Sequence, residues 1–261
     1  MLYFNSRADD RTKNKEKFLS EVHGGLQLNW ERRVMRKGRM VFILTSHDEI
    51  ATKGSTGFYI DEAAHPWKIF TEAGYDVDFV SVKGGEAPQD GRNPEDDEQN
   101  EFLSNPKVVE QLANTKVASM INPDDYKAVL YVGGHGTMFD FPQDASLANL
   151  SARVYENGGI VAAVCHGPAG LVNIKLSDGT YLVNGKRLTG FTNNEELAVG
   201  LTEAVPFLLQ TKLEDRGAKF IAADNFTENV IADGRLVTGQ NPQSAKALAH
   251  AVLETLETIS E

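Results

Sequence analysis

The chain has 261 residues, 41% of them hydrophobic and 24% charged, and a net charge of -11. A surface this acidic repels polyanions, so no nucleic-acid partner is expected. No apolar run approaches the roughly 20 residues of a membrane span, and the polar N-terminus holds neither a signal core nor a transit-peptide pattern.

Residues 1–38 are polar and lack a sustained apolar period. They read as an N-terminal extension ahead of one domain over 39–261. The basic cluster Arg32, Arg33, Arg36, Lys37 and Arg39 reads as a solvated lead-in. Met40-Val-Phe-Ile-Leu-Thr45 is a short apolar run with β-branched residues, the pattern of a buried parallel strand. Apolar side chains at Ile60, Ala63, Ala64, Trp67, Ile69 and Phe70 lie on one helical face, and Gly74 stands where a C-terminal cap belongs. Tyr75-Asp-Val-Asp-Phe-Val80 alternates like a strand. Residues 84–101, rich in Gly, Pro and acids, read as a loop, and a helix is predicted near 103–113.

Residues 126–132 form the next predicted strand and run into Gly133-Gly-His-Gly136. A helix is predicted over 143–157. The buried strand Gly159-Ile-Val-Ala-Ala-Val164 then ends on Cys165-His-Gly167. Asn229 to Thr238 reads as a hairpin around Asp233-Gly234, and a last helix covers about 243–257. Strands alternating with helices predict an α/β fold, a doubly wound, mostly parallel sheet with helices on both faces. Sites in such sheets form at the carboxyl ends of the strands, where both glycine-rich segments stand.

Cys165 is the one cysteine of the chain. That excludes an intrachain disulfide and a thiolate-rich zinc site, and fits a reducing, cytoplasmic setting. A lone cysteine is usually a small buried hydrophobe, so its neighbours must argue for more. A strand followed by Cys165-His166-Gly167 matches a nucleophile elbow, in which a tight turn pushes the nucleophile out of the backbone. A helix starting there would aim its free N–H groups at the sulfur and lower the thiol pKa. The Gly134 and His166 N–H groups would together form an oxyanion hole. Neither the Walker lysine nor GxGxxG spacing is present, so the glycines are not a phosphate loop.

Gly133-Gly-His-Gly-Thr-Met-Phe-Asp140 followed by Val164-Cys-His-Gly-Pro168 resembles the PfpI/ThiJ superfamily, whose flavodoxin-like sandwich is shared with class I glutamine amidotransferases. The long glycine-histidine string is most similar to the branch of heat-shock chaperones with glyoxalase III activity. The likeness covers about residues 39–257. It implies that Glu62, in Gly57-Phe-Tyr-Ile-Asp-Glu62, is the acid that contacts the nucleophilic sulfur. It places Cys165 and His166 on the Cys-His pair. Gly190-Phe-Thr-Asn-Asn-Glu195-Glu196 resembles the segment supplying a carboxylate to that histidine. Position favours Glu196, and Glu195 stands as the alternative.

These roles are chemically coherent. A carboxyl beside a thiolate should have a raised pKa, so Glu62 would carry a proton. His166 directly follows Cys165 and needs a third group to orient its ring. The resemblance implies a cofactor-independent lyase that turns a small aldehyde, methylglyoxal, into lactate without glutathione, the activity also called D-lactate dehydratase. It further implies a homodimer and unfolded client proteins. The rival readings are a holdase chaperone, a cysteine redox sensor and, more weakly, an amidase or peptidase. One bacterial branch carries a metal site of two histidines and one carboxylate. Trp67-Lys-Ile-Phe-Thr-Glu-Ala-Gly74 holds no histidine where that site would need one, so no metal is expected. His47 and His65 fall near the site and read as structural or surface residues.

Overall fold

The computed structural model describes residues 37–260. The proposed extension over 1–38, with most of the basic cluster, lies outside the described residues except for Lys37 and Gly38, the latter the first residue of β1. The main elements in chain order are β1 (Gly38–Leu44), α1 (Ile60–Glu72), β2 (Tyr75–Ser81), α2 (Asp97–Ser104), α3 (Pro106–Ala113), β3 (Ala128–Tyr131) and α4 (Ala145–Glu156). There follow β4 (Ile160–Val164), α5 (Asn193–Ala198), α6 (Leu209–Asp215), β5 (Val230–Asp233), β6 (Leu236–Gly239) and α7 (Ala245–Ser260).

The six strands form one sheet in the order β5-β6-β4-β3-β1-β2. Only the β5–β6 hairpin is antiparallel; every other pairing is parallel. All of β3, β4 and β6 is buried, as strands covered on both faces must be. The chain steps from β1 to β2 in one direction across the sheet and from β3 to β4 in the other. Right-handed crossovers therefore put α1 and α4 on opposite faces. α7 packs against α1, and α4 packs on β3 and β4. The order reverses between β1 and β3, and that switch point is where such sheets bind ligands. Among the described residues no helix is long and apolar enough to cross a membrane.

Local chemistry explains most boundaries. Gly74 follows α1 with φ +92°, a left-handed position that costs glycine little. Asp144 caps α4 by accepting the Ser146 and Leu147 N–H groups at 2.8 and 3.0 Å. Two sequence expectations need correction. The loop predicted to 101 ends earlier, because Asp96 accepts the Gln99 N–H at 2.9 Å and starts α2 at Asp97. The single helix near 103–113 is two helices. Asn105, extended because a proline follows, caps α3 with Pro106 in its first position.

Candidate active site

Cys165 lies directly beyond β4, next to the switch point. Its φ is +57°, a left-handed conformation that costs a residue with a Cβ about 1–2 kcal/mol. The turn is pinned on both sides: the Cys165 N–H donates to Gly239 O at 3.0 Å, and the Phe191 N–H donates to Cys165 O at 2.8 Å. A Cβ on Gly167 would run into the Tyr131 carbonyl, so this position must be glycine for the elbow to close against β3. Thr137 Oγ1 donates to Gly134 O at 2.8 Å and to His166 O at 3.0 Å, bracing the two glycine-rich turns against each other.

The segment after Cys165 is a 3-10 turn over Gly167–Leu171, not the α-helix that was expected. Burial pushes the Cys165 thiol well up, a charged Glu62 would push it further, and the His166 N–H works against both. Burial thus opposes the lowering of the thiol pKa expected from a helix start. Cys165 is 4% exposed, and the loss of water is the largest influence on its thiol.

Glu62 projects from the first turn of α1 and is fully buried. Neither carboxyl oxygen has a partner of full hydrogen-bond geometry. Burial therefore drives its pKa well up, with the Cys165 thiol and the Gly133 N–H pulling part of the way back. A Cβ on Gly133 would collide with Glu62 Oε2 and sit 2.9 Å from Cys165 Cβ, so glycine there lets acid and thiol share one space. The protonated carboxyl beside the sulfur is the state this environment favours.

His166 is 0% exposed. Its Nδ1 lies 3.4 Å from Cys165 Sγ, and its Nε2 donates to Glu196 Oε2 at 2.7 Å. That second bond leaves Nδ1 with a free lone pair facing the sulfur in the neutral ring, ready to accept the thiol proton. Burial, helped by neighbouring His135, lowers the His166 pKa to about 4, so the ring is neutral at pH 7. For Glu196 burial works upward, but hydrogen bonds from His135 and His166 outweigh it and hold the pKa at about 2.

Glu195 serves differently. Its carboxylate accepts the Thr192 N–H at 2.9 Å, closing a capping box at the start of α5. It also accepts from the Phe226 N–H at 2.9 Å, Gln240 Nε2 at 3.1 Å and Asn241 Nδ2 at 2.9 Å. Glu195 thus ties loops together, while Glu196 faces the histidine.

His135 was read only as part of a turn. Its Nε2 donates to the other Glu196 oxygen, Oε1, at 3.0 Å, and its ring centroid lies 4.0 Å from that of His166. One carboxylate therefore holds two imidazoles. A histidine beside the glycines of a strand end was the available signal, but its partner lies 61 residues away. The donor atoms of His135, His166 and Glu196 lie within 4.8 Å of one another. The two hydrogen bonds run between these same three side chains and form a relay from His135 through Glu196 to His166. His47 stacks on Phe139 at 4.3 Å, and His65 bonds Asp96 at 3.0 Å between α1 and α2.

Cys165, His166, Gly134 and His135 line a cavity of about 490 Å³. Tyr59 and Lys53 border it on one side; Phe191, Val199, Leu201 and Phe226 give it an apolar wall. The site can therefore present a nucleophilic sulfur, a proton donor and a neutral base to a small electrophile.

A cysteine on a strained elbow at the switch point of a parallel sheet, with an acid from the first helix beside it, defines a class of α/β cysteine proteins. The chain belongs to the DJ-1/PfpI family, whose model matches residues 56–255. It is 35% identical over 236 residues to glyoxalase 3 of Candida albicans, covering 84% of this chain and 98% of that one. It is also 35% identical over 240 residues to the glutathione-independent glyoxalase HSP31 of Saccharomyces cerevisiae, covering 85% and 100%. The crystal structure of glyoxalase III from Candida albicans superposes with a TM-score of 0.77 at 33% identity, over 84% of this chain and 97% of that one. The rapid encystment protein of Francisella tularensis superposes at 0.81 and 36%, over 84% and 99%.

Proposed function

We propose that the protein is a glutathione-independent glyoxalase that converts methylglyoxal to lactate with Cys165 as nucleophile. The observation that carries this is the strained Cys165 on the cavity wall, flanked by buried Glu62 and by the free Nδ1 of His166. Relatives named glyoxalase, matched along nearly their whole length, support the same reading.

In this reading His166 Nδ1 takes the thiol proton as sulfur bonds to the aldehyde carbon, C1. The carbonyl oxygen, held by the Gly134 and His166 N–H groups, gains a proton from Glu62 and becomes a hemithioacetal hydroxyl. Glu62, now a carboxylate, takes the C1 hydrogen as His166 gives its proton to the ketone oxygen, forming an enediol; Glu62 then returns the hydrogen to C2 while the C1 hydroxyl proton passes back to His166. The product of that shift is a lactate thioester on Cys165. Water cleaves the carbon–sulfur bond, releasing lactate and restoring the thiol. Aldehyde oxidation and ketone reduction cancel within one molecule, so no external oxidant or reductant enters the balance. Glu196 orients His166 throughout.

Lactate formation from methylglyoxal without glutathione tests this. Wild type should turn over and Cys165→Ala should not; retained activity in the variant refutes the cysteine mechanism. The activity is assigned to residues 39–261, in a cytoplasmic homodimer. A second, holdase activity has one supporting observation: Leu197, Val199 and Phe226 are 70%, 41% and 41% exposed. Suppression of client aggregation that survives Cys165→Ala would separate it from turnover.

A further inference from the structure

We propose that His135 is a positioning residue of this reaction: its imidazole fixes the carboxylate of Glu196, which in turn orients His166. The inference rests on the glyoxalase reading for its kinetics but stands on geometry of its own. Glu196 is 2% exposed, so in the intact site both carboxylate oxygens depend on protein donors. Oε2 is taken by His166 at 2.7 Å and Oε1 by His135 at 3.0 Å. The second bond spans from the turn after β3 to α5 and fixes the carboxylate's rotation as well as its charge. His166 has no other hydrogen-bond partner for Nε2 among the described residues. The aim of its Nδ1 at Cys165 therefore depends on a carboxylate that His135 holds.

The charged and titratable groups about His135 come from several elements. Glu196 lies on α5, and His166 and Cys165 follow β4. Lys53 and Tyr59 line the same cavity from the segment before α1. Glu195 is occupied by Thr192, Phe226, Gln240 and Asn241. The Phe191 ring, 4.2 Å from His166 and 6.0 Å from His135, brings the apolar wall against the pair. Removing the His135 donor removes one of the two bonds that keep Glu196 ionised in a buried place. The carboxyl should then take up a proton at a higher pH and release the His166 ring.

The test compares wild type, His135→Ala and His135→Gln. The glutamine amide can donate to Oε1 as Nε2–H does. Turnover of methylglyoxal is followed from about pH 4.5 to 8, alongside the rate at which iodoacetamide alkylates Cys165, a readout that needs no turnover. His135→Ala should lose about tenfold or more in kcat with little change in KM, as expected for a misaimed group. Its acid limb should move to higher pH in both readouts, and His135→Gln should recover most of the rate and the wild-type profile. If His135→Ala does not fold, His135→Phe, which keeps ring volume without a donor, carries the same expectation. Profiles that superimpose on wild type, or a glutamine variant no better than the alanine one, overturn the proposal. Wild type that makes no lactate while the alkylation profile still shifts in His135→Ala sinks the glyoxalase reading and keeps the positioning role.

Discussion

The buried neutral His166 makes acid stability a direct probe of the site. An unfolded histidine titrates near 6.5, whereas burial, aided by His135, lowers the His166 pKa to about 4. The folded state thus refuses a proton that the unfolded chain accepts. The contribution is fully present above about pH 6.5 and is lost as pH falls toward 4. At pH 5 the unfolded ring is almost wholly charged and the folded one mostly neutral, which costs about 2 kcal/mol relative to pH 7.5 by linkage. The figure is meaningful because the side chain is fully buried. Urea unfolding of wild type and His166→Gln at pH 7.5 and 5 isolates the effect, since every other titrating group is common to both. Wild type should lose about 2 kcal/mol more than the variant across that interval. Parallel losses in the two proteins would show that His166 accepts protons as freely when folded as when unfolded.

Asp140 supplies a test of opposite sign. Burial raises its pKa to about 6 despite hydrogen bonds from the Ser46 N–H at 2.8 Å and Thr45 Oγ1 at 2.9 Å. Its contribution is present below the unfolded value and lost as pH rises through 6, so Asp140→Asn should stabilise the protein by about 1–2 kcal/mol at pH 7.5 and by little at pH 4.5. Cys165→Gly and Cys165→Ala should both be inactive, yet only glycine relaxes the φ of +57°; the glycine variant should unfold about 1 kcal/mol later than the alanine one, in thermal or urea denaturation. Phe226 shares a φ of +57° and is 41% exposed at the cavity rim. Phe226→Asn should remain within about 1 kcal/mol of wild type, because asparagine tolerates this conformation, while kcat/KM for aldehydes with apolar substituents falls. A stability loss beyond about 2 kcal/mol would mean that the ring is core.

How much could be read from the residues differs along the chain. Strands β1, β3 and β4 were legible because their buried positions read as apolar runs, and the edge strand β2 because it alternates. Residues 168–228 were opaque for a physical reason. Their short helices α5 and α6 are held by long-range bonds such as Asn193 N–H to Gln210 Oε1 at 3.1 Å, and by the Glu195 hub, not by periodicity. The elbow itself was visible, since only glycine can follow where Tyr131 O presses on the turn. Position favoured Glu196 over Glu195, and the structure has Glu196 on the histidine; the physical reason was not legible, because adjacent helical residues point about 100° apart and sequence does not say which way the histidine lies. The direction in which the thiol is pushed was not legible because burial, which sequence does not show, is its largest influence, and the turn that follows is a short 3-10 one where a helix was expected.

The pKa directions bear on how the chemistry can run. On one side of the sulfur, Glu62 and Cys165 are both pushed toward their protonated forms by burial. On the other, His166 is pushed toward its unprotonated form while Glu196 stays ionised. The resting site thus holds a donor and an acceptor that cannot neutralise one another without passing through the thiol. A carbonyl arriving at the Cys165 face supplies what is missing: as carbon bonds to sulfur, the thiol proton has His166 to go to and the new oxyanion has Glu62 to draw from. Burial raises the barrier to ionising the sulfur in the empty site and relieves it when substrate charge develops. A stray oxidant that needs a ready thiolate should react slowly with Cys165, whereas an aldehyde that brings its own oxyanion should not. Comparing peroxide oxidation of Cys165, read by mass spectrometry, with hemithioacetal formation puts this to measurement. Fast peroxide oxidation at pH 7 in the absence of aldehyde would mean that the sulfur is ionised at rest and that this account of the proton inventory is wrong.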